Sequence, residues 1–174
     1  MSELLQPLRE LFEWVDTFPS SIALRESQYV WSGVVVTHVI SVCLAVGLLL
    51  VMDLRLLGAA HLQAPFSRLQ RRLFPWQMAG VVLSIVTGLL LLYAQPLRYY
   101  RSVYFWMKML TMALAALNAM AFHSRIYPSV AEWDERRRLP FGARAAGVLG
   151  MLFWAIVVIE GRLIPYSLTW FPQE

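Results

Sequence analysis

The 24-residue stretch YVWSGVVVTHVISVCLAVGLLLVM, from Tyr29 to Met52, decides the fold. It carries no formal charge and is bounded by Glu26 and Asp53. A helix needs about 20 mostly apolar residues to cross a bilayer core, and this stretch exceeds that. Three more runs follow it. Residues 73–97 are also free of formal charge, residues 104–126 hold Lys108 near the start and Arg125 near the end, and residues 141–163 hold Arg144 near the start and Glu160 and Arg162 near the end. The whole chain agrees with these local readings. Of its 174 residues, 59% are hydrophobic and 15% charged, with mean hydropathy +0.56. A soluble domain carries about 25% charged residues, so the apolar excess must face lipid. Disorder, collagen and disulfide scaffolds are excluded, the last because Cys43 is a single cysteine inside an apolar run. The net charge of +4 and pI near 9.6 do not indicate nucleic acid, because the charges cluster between hydrophobic runs.

Working outward from the first span, Leu4, Leu5, Leu8, Leu11, Phe12 and Val15 recur at helical spacing opposite Glu3, Gln6, Arg9, Glu10 and Glu13. That pattern predicts a short helix lying in the membrane interface over residues 1–20, ended by Pro19 and Ser20–Ser21. The predicted fold is therefore all-α: an amphipathic interfacial helix, then one four-helix transmembrane domain over 21–174. No cleavable signal peptide is expected, since Met1–Ser2 leads into Glu3 rather than a basic and then apolar segment. Four spans put both ends of the chain on one face. Six basic residues fall there, Arg9, Arg25, Arg98, Arg101, Lys108 and Arg162, against nine on the other: Arg55, Arg68, Arg71, Arg72, Arg125, Arg136, Arg137, Arg138 and Arg144. The positive-inside rule places the nine in the cytoplasm and both termini in the periplasm of a bacterial inner membrane.

Polar groups within a membrane are costly and point to function. His38 falls in the first span and His123 in the third, while His61 follows the first span on the cytoplasmic side. A lone histidine here can simply bridge two helices. Two in an aromatic-rich four-helix chain suggest ligation, since bundles hold cofactors between facing helices and imidazole is an axial ligand of haem iron. His38 lies eight residues past Val30, and His123 lies 19 residues past Tyr104. At 1.5 Å per residue these depths are roughly 12 and 28 Å, so the two histidines are expected to anchor separate sites about 16 Å apart in height. Met112 is level with His38, and His61 or Met78 is placed to approach His123. Arg55, Arg71, Arg72, Arg125, Arg144, Lys108 and Arg162 sit at span ends, where snorkelling explains most of them and pairing with haem propionates explains the rest. Asp53 with Arg55, and Glu160 with Arg162, are expected to form local ion pairs. Gly80, Ser84 and Gly88 on the second span, with Ala143, Ala146, Gly147 and Gly150 on the fourth, have the spacing of close helix packing. No nucleotide loop, HExxH, CxxC or CxxCH motif occurs, so any haem would be non-covalent.

The segments HVISVCLAVGLLLVMDLRLLG (38–58), RRLFPWQMAGVVLSIVTGLLL (71–91), KMLTMALAALNAMAFHSRIYPSVAEWD (108–134) and ARAAGVLGMLFWAIVVIEGRLIPY (143–166) resemble a bacterial family of small four-helix membrane proteins known as a domain of unknown function. More distantly they resemble the cytochrome b561 and copper-resistance-D bundles. The most distinctive pieces are His38, Asp53-Leu54-Arg55, Pro75-Trp76, Thr87-Gly88, Lys108, Asn118, His123, Trp133-Asp134 and Gly161-Arg162. The resemblance implies that His38 and His123 are the family's intramembrane histidines and that they suit haem; His61 is not part of the pattern.

These readings predict an integral membrane b-type cytochrome with one or two haem b groups, held by His38 and His123, with His61 or Met112 as further ligands and Arg55, Arg125 and Lys108 near propionates. It would move electrons from a quinol or a redox partner protein, as an electron carrier rather than a classical enzyme. A chain with this much apolar surface is expected to form a dimer or trimer. Two other classes remain open: a haem-free permease or copper-handling protein using His38, Met112 and His123, and an accessory subunit whose histidines only bridge helices.

Overall fold

The computed structural model describes residues 2–59, 65–135 and 139–170. Every regular element among them is helical. A short helix α1 (Ser2–Asp16) and a second, α2 (Pro19–Glu26), precede the first span, α3 (Gln28–Leu57). The second span is α4 (Phe66–Ala94), followed by the short α5 (Pro96–Tyr100) and the third span, α6 (Val103–Arg125). A 3-10 turn and α7 (Val130–Glu135) lead to the fourth span, α8 (Phe141–Leu163), and α9 (Ser167–Trp170). Four helices are long and apolar enough to cross a membrane, which makes this a multi-pass membrane protein. Their outward residues include Val36, Ile40, Leu89, Leu110, Leu117 and Leu152, all exposed, and only lipid or another apolar surface can cover them.

The boundaries follow local chemistry. Pro19 does not merely break the chain; it opens α2, where its missing N–H costs nothing. Ser27 and Ser102 cap α3 and α6 by accepting from the amides of Val30 and Phe105. At the far end of α3, Gly58 adopts φ 76°, a left-handed conformation that glycine takes without strain, and α3 stops there. Thus α3 runs five residues past Met52, and α4 begins seven residues before Leu73. In both cases the added turns hold residues that pack inside the protein rather than in lipid: Leu56 and Phe66 are core residues.

The spans pack in the order α4–α3–α8–α6, with α3 lying against both α4 and α8. Glycines set how close they come. A Cβ on Gly80 would stand 2.9 Å from the backbone nitrogen of Ala45, and one on Gly147 would stand 3.0 Å from the carbonyl oxygen of Asp53. At the end bearing α7, Phe66 packs edge-on to Phe122 at 5.8 Å and against Trp133 at 5.5 Å, joining α4 to α6. The Asp134 carboxylate accepts from the amides of Phe66 at 2.8 Å and Ser67 at 3.0 Å. Pro65 offers no side-chain cap, so a residue 68 positions away supplies it. At the opposite end Asp16 and Arg25 pair at 2.6 Å, joining α1 to α2. Ser21 donates to the carbonyl of Tyr93, and Phe12 packs on Tyr100, so α1 and α2 lie across the ends of α4 and α5. Asp134→Ala should destabilise the protein by about 1 kcal/mol, the usual worth of an N-cap, while Asp134→Asn retains more of it. Thermal unfolding in detergent measures the order wild type, Asn, Ala; equal midpoints for all three would refute the capping role.

Candidate functional site

The half of the bundle nearer α1 holds a polar cluster to which all four spans contribute. His38 of α3 places Nδ1 2.9 Å from Oγ1 of Thr87 on α4. The Thr87 hydroxyl has one proton and lies 2.7 Å from the carbonyl of Leu83, one turn earlier. When it donates there it accepts from His38, and the imidazole then carries its proton on Nδ1 and a lone pair on Nε2. The ring lies against Gly88, where a Cβ would meet Cε1 at 3.3 Å. Lys108 of α6 extends over Gly161 of α8, with Nζ 3.1 Å from where a Cβ would stand. Its charge acts on both His38 and Glu160. Glu160 is only 4% exposed. Its Oε1 lies 3.1 Å from the Thr111 hydroxyl, and its Oε2 is buried with no hydrogen-bond partner.

The half nearer α7 has different chemistry. Asp53 is buried at 9% exposure, and its Oδ2 has no hydrogen-bond partner. Its carboxyl group occupies the notch left by Gly150, where a Cβ would lie 2.6 Å from Oδ2. One turn earlier on α8, the carbonyl of Ala146 accepts from the Asn118 amide at 2.9 Å. His123 is exposed at the end of α6. Its Nδ1 donates to the carbonyl of Ala119 at 3.0 Å, so Nε2 accepts from the Gln70 amide at 3.1 Å. Both ring nitrogens are therefore engaged, and Gln70 Oε1 is left buried without a partner.

The local ion pair expected between Glu160 and Arg162 does not form. Glu160 turns to Thr111 while the Arg162 guanidinium lies 5.5 Å over the Tyr166 ring, and the Asp53 carboxyl is turned onto Gly150. Residues two apart on a helix point about 200° from one another, which is why proximity in sequence misleads here. Arg9–Glu13 and Arg25–Asp16 are ion pairs outside the spans. Arg55 is buried at 4% exposure rather than snorkelling, whereas Arg71, Arg72, Arg125 and Arg144 are exposed. Met112 is half-buried on α6, and Met78 is half-buried on α4. His61 and Arg136–Arg138 lie outside the described residues.

His38 and His123 meet different parts of α4. Thr87 and Gln70 are 17 residues apart, roughly 25 Å along the helix, so the two histidines belong to separate sites. Gln70 and Thr111 were not singled out from sequence; a single polar residue in or beside an apolar run carries no signal until its partner on another helix is known. No three His, Cys, Asp or Glu side chains among the described residues converge as a metal site.

A glycine beneath each polar group makes a direct test possible. Gly150→Ala forces a methyl against the Asp53 carboxyl and should cost about 1–3 kcal/mol, the usual penalty of overpacking. In an Asp53→Ala background the same change should be nearly neutral. A double-mutant cycle on unfolding in detergent reads this coupling, and additive losses would disprove the contact.

No curated protein and no solved structure matches this chain. The model of a family of unknown function, DUF6644, matches residues 11–167, covering all four spans and the last six residues of α1. The chain belongs to that family.

Proposed function

We propose that this protein is a membrane-embedded haem b carrier of electrons, with His38 as an axial ligand. The reading is carried by the bond between His38 Nδ1 and Thr87. Metal-ligating histidines donate their second ring N–H to a fixed partner, which sets the tautomer and holds the ring in place. Thr87 does this for His38 and leaves Nε2 as the available donor atom. Gly88 leaves the ring room against α4, and Lys108 offers a cation near His38 for a propionate. A bound haem would supply one-electron chemistry at its iron. The chain's part is to hold the imidazole, neutralise acidic groups and keep water away.

His123 suits ligation less well, because Gln70 occupies its Nε2 and would have to turn aside. The spacing along α4 argues against one iron shared by both histidines. The geometry thus favours one haem at His38, with His123 as the anchor of a second. Met112 remains the methionine at the right depth for a sixth ligand. The electron source in this reading is a quinol or a redox partner protein. The nine-to-six distribution of basic residues supports an inner-membrane protein with the α1 face in the periplasm. Gly33 and Gly47 have open space above them on α3, which would let a second copy approach and form a dimer or trimer.

One observation favours a second reading, a haem-free permease or copper-handling protein. Both Asp53 and Glu160 bury a carboxyl oxygen without a partner, a costly arrangement in an inert scaffold. Protein purified in detergent from haem-replete cells distinguishes the two. The haem reading expects Soret and α bands on reduction, lost in His38→Ala, weakened in Thr87→Val and at least half retained in His123→Ala. A colourless preparation would overturn it, and metal analysis would then test copper.

A further inference from the structure

We infer that Glu160 and Thr111 form a proton-binding site in the membrane, exchanging its proton with water at the α1 face. The inference is independent of haem and rests on counting protons. Thr111 Oγ1 stands 3.1 Å from the carbonyl oxygen of Met107 and 3.1 Å from Oε1 of Glu160. A hydroxyl has one proton and can satisfy only one of these acceptors at a time. Two arrangements fit the same heavy-atom positions. In the first, Glu160 is a carboxylate, Thr111 donates to Oε1, and the Met107 carbonyl keeps only its bond within the helix. In the second, Glu160 is a carboxylic acid whose Oε1–H donates to Thr111, and Thr111 donates to Met107. Passage from the first to the second takes up one proton from hydronium and leaves water, and the threonine hydroxyl rotates.

Three features make the site one for a proton rather than a metal cation or a structural ion pair. Glu160 is more than nine-tenths buried and Oε2 has no hydrogen-bond partner, so a permanent carboxylate would lack compensation at that atom. Lys108, one turn from Thr111 on α6, acts electrostatically on Glu160 but does not approach within ion-pair distance, and its charge repels any metal cation. Glu160 lies three residues from the end of α8, about 5 Å of helix from the α1 face, so water need not cross the bilayer to reach it. Of the other charged or titratable groups at this end, His38 of α3 faces Thr87, Arg162 of α8 lies over Tyr166, and the Tyr104 ring of α6 packs against Trp170.

Infrared difference spectroscopy of the full chain in nanodiscs, recorded across a pH titration, tests this. The wild type should show a carboxylic-acid C=O band that is gained as pH falls and lost as it rises. Asp53→Asn, which removes the other buried carboxyl, should retain the band; in that background it should be absent with Glu160→Gln and shifted to higher frequency with Thr111→Val, where the acid loses its acceptor. A spectrum of Asp53→Asn without a titrating band, a band that persists when Glu160→Gln is added to it, or one unmoved when Thr111→Val is added would each overturn the proposal. If Glu160→Gln does not fold, the Thr111→Val shift decides. Because the readout is a carboxyl vibration, a colourless protein would overturn the haem reading and leave this one standing.

Discussion

The close approach of α3 to its two neighbours governs the rest of the molecule. Within lipid, apolar side chains gain little by leaving hydrocarbon for each other, so helices associate where backbones can come near enough for dense packing and for polar groups to meet. Gly80 brings α4 onto the backbone of Ala45, and Gly147 brings α8 onto the carbonyl of Asp53. With α3 held on both sides, polar residues along these seams cannot turn to water. His38 must lie on Gly88, and the carboxyl of Asp53 must fill the space over Gly150. Packing and chemistry are therefore one problem here: the glycines that allow the helices to meet also receive the polar groups.

This explains which parts of the molecule were legible in the residues. The four spans were, because hydropathy over about 20 residues is a one-dimensional property, and α8 falls on the predicted 141–163. The ends of α3 and α4 were not, because Asp53 and Arg55 resemble the water boundary although both are buried. Charge marks the aqueous edge only where no neighbouring helix covers it. The small-residue spacing on the second and fourth spans correctly foretold close packing, but not that Gly88 and Gly150 would seat a histidine and an aspartate. Trp133-Asp134 stood out in the sequence without a visible purpose; the structure uses Trp133 in the core and Asp134 as the cap of α4. That pairing spans 68 residues and leaves no local trace.

The two intramembrane histidines show the same limit more sharply. From sequence they are equivalent apart from depth, and in the fold they meet α4 at Thr87 and at Gln70. What distinguishes them is the residue each meets on α4. A threonine hydroxyl that gives its proton to Leu83 accepts from His38 and leaves Nε2 open; a glutamine amide donates, and so closes His123 Nε2. Proton inventory at the partner, rather than the histidine's own surroundings in the chain, assigns the roles.

Lys108 links the two chemistries proposed for the α1 half of the bundle. It belongs to α6, its stem lies over Gly161 of α8, and its charge acts on both His38 and Glu160. A cation placed between two such groups makes each sensitive to the charge of the other, since interactions inside a low-dielectric bundle are weakly screened by salt. If an electron arrives at a group held by His38, the added negative charge draws on the same lysine whose field reaches Glu160. Proton uptake at Glu160 then relieves the excess without moving a charge across the membrane. The cluster's position, within a few turns of one aqueous face, favours such local exchange over a path from face to face. The unpartnered carboxyl of Asp53, some 22 Å further along α3 by helical rise, is too distant to share in it and must be explained by the opposite half of the bundle.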